Sequence, residues 1–70
     1  MNKTSTLDMI TRATVEFLSK DFPDNRYELG KLSGMITLAR ALGISEDETS
    51  NAQFAGVVSY EHDLLERNAL

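Results

Sequence analysis

The chain contains no cysteine and no tryptophan, and only one proline and one histidine. Without cysteine it has neither a disulfide framework nor a thiolate zinc site to stiffen a small fold. No run approaches the ~18 apolar residues of a membrane span, and Met1, Asn2, Lys3 and Thr4 lack the apolar core of a secretory signal. A cytoplasmic protein with no membrane partner is the expectation. Basic residues are scarce in the second half. Residues 1–43 carry six Lys/Arg against five Asp/Glu, whereas residues 44–70 carry Arg67 alone against six acids. That acidic segment suits a basic site on a second subunit or on a partner protein, or an ordinary solvated face, and it argues against contact with phosphates.

What is present is helical throughout, with no repeat, low-complexity tract or strand alternation. Seventy residues make one domain, 1–70, and a chain this short buries only about 60% of the surface its unfolded form exposes. Oligomerisation is then the remaining way to complete a core. The organising stretch runs from Asn25 to Gly43. At about 100° per residue, Tyr27, Met35, Leu38 and Leu42 share one arc, Leu29, Leu32, Ile36 and Ala39 the next, and Gly30, Gly34, Thr37 and Ala41 a third. A helix apolar around most of its circumference needs more cover than two short neighbours offer, so the chain is expected to be at least a dimer. Gly30 and Gly34 each cost ~1 kcal/mol relative to alanine in a helix interior. With Thr37 and Ala41 they form a strip that another backbone can approach closely. The first helix of the same subunit is its expected occupant, a second copy the alternative, and a branched side chain at Gly34 should be tolerated far worse than one at Lys31.

The first helix is expected from about Thr6 to Lys20, opened by Ser5 and Asp8 as a capping box, with Leu7, Ile10, Thr14 and Phe17 on its buried face. Pro23, Asp24 and Asn25 make the turn of a helical hairpin, and Asn25 caps the second helix with Glu28 as partner. Gly43 ends that helix in the left-handed conformation. Ser45 and Glu48 form a further capping box, with Glu46, Asp47 and Glu48 beside the positive helix end. The third helix follows in one or two pieces, because Thr49, Ser50 and Asn51 are weak helix formers. Along it Phe54, Val58 and Leu65 lie on one face with Ala55 and Ala69, extended by Val57 and Leu64. Glu48, Gln53, Ser59, Asp63 and Arg67 line the other side.

Residues that could carry chemistry are few. His62 stands one helical turn from Glu66, but a metal site takes three or four ligands of defined spacing, so His62 reads as a surface or interface histidine. Asp47, Thr49 and Asn51 share the offsets of a calcium loop, yet Ala52 and Val58 replace its glycine and bidentate carboxylate. No catalytic residue, metal or cofactor is assigned.

Leu38, Ala39, Leu42, Gly43, Ile44 and Ser45 carry a partial resemblance to the helix-turn-helix of bacterial and phage repressors: alanine, glycine four residues on, then an apolar residue at the turn. The resemblance implies DNA binding through the following helix. Beyond Ser45 the chain departs from that family, placing Thr49 at the buried branched position and Glu46, Asp47 and Glu48 where the family presents polar or basic side chains to DNA.

The reading is therefore an all-α bundle: a helical hairpin (residues 6–20 and 26–42) with a third helix, completed by oligomerisation. Its expected work is non-enzymatic protein contact, as a self-associating adaptor or as a small inhibitor or accessory factor of a larger protein, of the kind phages and mobile elements encode. The candidate contact residues are Gly30, Gly34, Thr37, Ala41, Glu46, Asp47, Glu48, Phe54, Val58, His62 and Leu65. A helix-turn-helix regulator is the alternative, and ligand capture at a subunit interface a further one.

Overall fold

The computed structural model describes residues 2–68. It contains three helices, α1 (Lys3–Leu18), α2 (Asn25–Ala41) and α3 (Glu46–Asn68). The first starts earlier than Ser5 suggests. Asn2 is the N-cap, its Oδ1 accepting from the Ser5 amide at 2.7 Å, so Ser5 sits inside the first turn and Asp8 is not a capping partner. The helix also stops two residues sooner, at Leu18, where the Ser19 amide donates to the Val15 carbonyl and the Lys20 amide to Phe17.

The hairpin turn differs from expectation in one cap. Asn25 is already helical and Asp24 precedes it without a side-chain hydrogen bond. Glu28 is not free to cap, because it is buried and its Oε1 accepts from Lys20 Nζ at 2.7 Å. A buried carboxylate needs a charged partner, and Lys20, released from the end of α1, reaches it. Lys20 beside Glu28, and Met9 lining one groove with Met35, mean that α2 runs antiparallel to α1.

The second turn follows its sequence closely. Gly43 has φ 84°, its amide donates to the Arg40 carbonyl at 3.0 Å, and the Ile44 amide donates to Ala39 at 2.9 Å. This is the paired bonding of a glycine-terminated helix, with the two residues that should touch, Ala39 and Ile44, both buried. Ser45 Oγ then accepts from the Glu48 amide at 3.2 Å and opens α3, which continues unbroken for 23 residues. Thr49, the weak helix former at its start, is 1% exposed and returns its hydroxyl to the Glu46 carbonyl at 3.0 Å.

Both α2 and α3 lie on α1, and they scarcely touch each other away from the turn. The core is small: Ile10, Ala13, Leu32, Ala39, Ile44 and Ala52, with Leu7, Met35 and Ile36 packed against it. Three buried threonines, Thr6, Thr14 and Thr49, complete the interior, and the hydroxyls of Thr6 and Thr14 bond carbonyls one turn back. The close crossing is between α1 and α3. A Cβ on Gly56 would lie 2.7 Å from both the Thr11 carbonyl oxygen and Thr14 Cβ. One turn away, Thr11 Oγ1 donates to the Ala52 carbonyl at 2.8 Å. Ala52 and Gly56, four apart, let the two backbones meet, and a hydroxyl ties them. Lys3 pairs with Glu48 at one end, while Val15 and Ser19 line a crevice with Tyr60 and Arg67 at the other, so α1 and α3 are parallel.

Within the single chain α2 is left largely uncovered, as two short neighbours imply: Tyr27, Leu29, Leu38 and Leu42 are exposed, and only Glu28, Leu32 and Ala39 are buried. One expectation is overturned here. The glycine strip is not occupied by α1, since a Cβ at Gly30 or Gly34 would meet nothing within 4 Å. A large side chain at Gly34 therefore has room within this chain. On α3 the side carrying Ala52 and Gly56 turns inward. Gln53, Val57 and Tyr60 are half-buried beside Ala52 and Gly56, while Phe54, Ala55, Val58 and Leu65 face outward. Phenylalanine cannot enter a contact set by the bare backbone of Gly56; small residues choose which face packs. Ala69 lies outside the described residues.

Candidate interaction surface

Phe54, Val58 and Leu65 are 65%, 48% and 68% exposed. With Glu61 and Asp47 they fall within an arc of about 60° at ~100° per residue, on the side of α3 opposite Gly56. Their four-three-four spacing is that of a helix-pairing seam, and single exposed apolar residues would mean little whereas an aligned set does. Its acids are Glu61, within the stripe, and Asp47, in line with it nearer the start of α3, both exposed.

The outer side of α2 has the same spacing in miniature. Gly30, Gly34, Thr37 and Ala41 are all exposed and line up away from α1. Exposed Tyr27, Leu38 and Lys31 flank the strip on one side and Arg26 and Arg40 on the other. The only acid of α2 is Glu28, buried and matched by Lys20, so the outward charge of this helix is positive. These cations are the contribution that a reading of apolar periodicity passes over.

The acidic triplet divides. Glu46 and Asp47 are exposed, but Glu48 is half-buried, caps the helix and bridges to Lys3. The Lys3 contact, with the Ser45 bonds, holds the Glu48 carboxyl below the usual glutamate range against some desolvation. At the other end of the molecule, Lys20 is held above the usual lysine range by its hydrogen bond to Glu28. Glu28 Oε2 has no hydrogen-bond partner among the described residues. Glu48 and Glu28 are thus structural acids, one pinning α3 and the other α2 to α1.

His62 Nδ1 lies 3.5 Å from Glu66 Oε1, both exposed. With Asp63 they could offer three ligand atoms within 4.8 Å of one another, on one helix face open to water. An open groove of about 260 Å³ between α1 and α2 is lined by Met9, Arg12, Ala13, Glu16, Lys31 and Met35. Comparison with protein-family models, curated proteins and solved structures finds no match to this chain. Among the described residues no helix is long and apolar enough to cross a membrane. The candidate residues therefore sort into two outward strips, Gly30–Gly34–Thr37–Ala41 and Phe54–Val58–Leu65, with Glu46 and Asp47 near the second and His62 on the neighbouring flank.

Proposed function

We propose that this protein works by contact with other protein surfaces, as a non-enzymatic adaptor or inhibitor. The observation that carries this reading is the inversion of α3: its apolar side chains Phe54 and Leu65 are outside, while its buried residues are the small Thr49, Ala52 and Gly56. Keeping an aligned apolar stripe in water is unfavourable at about 25 cal/mol per Å², and a docking partner relieves that cost. Glu61 and Asp47, in line with the stripe, supply steering toward a basic surface. Capture from cell lysate with the natural chain and with Phe54→Glu/Leu65→Glu tests the reading. A partner retained by the first and lost by the second is the expected result; equal capture by both, with unchanged helicity, would remove the stripe from the contact.

A second reading is favoured by the turn alone. Ala39, Ile44 and Thr49 are buried and Gly43 is left-handed, the placement the repressor resemblance implies. DNA binding through α3 would have to overcome exposed Glu46 and Asp47 at the end that enters the groove. Sequence-selective duplex binding that weakens with salt would establish it in place of protein docking.

A further inference from the structure

The two outward strips of this molecule are complementary to each other, and no single copy can bring them together. The α3 stripe projects bulky side chains from an acidic helix. The α2 strip is shallow, with room above both glycines, and is bordered by Arg26, Lys31 and Arg40. Both repeat at four-three-four spacing over the same length, residues 30–41 on one helix and 54–65 on the other. Each faces away from α1, so contact requires a second chain.

We propose that α3 of one copy docks along α2 of another, with Phe54, Val58 and Leu65 seated over Gly30, Gly34, Thr37 and Ala41. This deepens the contact reading above by naming one partner, and it rests on the same exposed stripe. Charge selects the pairing. Two α3 faces together would oppose Glu61 and Asp47 to their own copies, and two α2 faces would oppose Arg26 and Lys31; only the mixed pair sets acids against bases. Shape selects it too, because large residues fill a strip of small ones whereas two bulky seams hold their backbones apart. Each copy carries both halves of the contact, so assembly closes as a reciprocal two-fold pair or a ring, or extends head to tail.

Sedimentation of the full chain from micromolar to millimolar concentration provides the test. The natural protein should exceed its 7.8 kDa monomer mass and dissociate as salt screens the charges. Arg26→Glu/Lys31→Glu and Asn51→Lys/Glu61→Lys, which alter exposed positions on opposite strips, should each weaken self-association by at least about tenfold. An equimolar mixture of the two should restore it, since each then meets its opposite charge. Gly34→Leu should fold, as judged by circular dichroism, yet associate poorly. A monomer at every concentration would overturn the proposal, as would an α2 variant that associates like the natural chain, which would assign the contact to two α3 faces. Monomeric behaviour combined with partner capture that depends on Phe54 would overturn self-docking while leaving the contact reading intact.

Discussion

Gly56 and Gly34 are both interior glycines of long helices, yet a Cβ at the first would strike two atoms at 2.7 Å and at the second would meet nothing within 4 Å. Around Gly56 the helix backbones of α1 and α3 are in contact, and the glycine is there because nothing larger fits. Around Gly34 the helix faces water, and its glycine weakens α2 without any return inside this chain. The difference shows that a small-residue strip marks a possible close approach but carries no information about what approaches. Only the neighbour on the other side settles that.

The sharpest way to break the comparison is a methyl group at each site. Gly56→Ala should destabilise the fold by about 1–3 kcal/mol, because the obstructing atoms include a backbone carbonyl that cannot swing aside. At about 4–8 °C per kcal/mol for a chain of this size, thermal denaturation followed by circular dichroism would register it readily. A stability equal to the natural chain's would mean that α1 and α3 do not cross at that point.

Removing the tie beside that crossing has a smaller effect. Thr11→Val keeps the shape but loses the hydroxyl that reaches the Ala52 carbonyl, and should cost about 0.5–1.5 kcal/mol in urea unfolding. Gly34→Ala should act in the opposite direction, raising stability by up to about 1 kcal/mol through helix propensity alone, measured under monomeric conditions. Loss of stability there would show that another part of the chain covers the strip.

The smallest expected effect is with pH, and it distinguishes the two ends of the molecule. The Glu48 carboxyl is held below its unfolded value, so its contribution is present above the ordinary glutamate range and disappears as pH falls through the folded value. Lys20 has the reverse sign: its folded value is raised, so its contribution is complete at neutral pH and fades only as pH rises above the ordinary lysine range. Acid should therefore loosen the start of α3 first, and strong alkali the start of α2. Both pairs are partly solvated, so the changes should be modest and weaker in salt. Amide exchange at residues 46–50 and 25–29 across this pH range would read them; identical pH profiles at the two ends would contradict the assignment.

The helical character and the chain's punctuation were legible because they depend on local chemistry; that α3 runs unbroken through Thr49, Ser50 and Asn51 was not. Gly43 and Ser45 act within a few residues of themselves, and the structure uses both as read. The start of α1 was misread because Ser5 and Asn2 both offer a capping oxygen, and the earlier one captured the helix. Glu28 was misread for a similar reason. A glutamate three residues into a helix suits a capping box, but Lys20, eight positions away, competes for it across the turn.

Which helix face turned inward was not legible from apolar periodicity. That criterion aligns Phe54, Val58 and Leu65 on one face of α3 without saying which way the face turns, and the structure leaves it outside. The signal was available in a different form, Ala52 and Gly56 spaced to meet Thr11 and Thr14, but it has meaning only as a pair of surfaces on two helices.

The sequence by itself determined that this protein is helical, where the second helix ends and the third begins, and how its charge is divided, since propensities, caps and composition act over one or two turns. The tertiary structure alone decided which small-residue strip became an interior crossing and which stayed open, and so which apolar side chains were left exposed. Close packing depends on the shapes of both surfaces at once, and no single helix's periodicity contains the shape of the other.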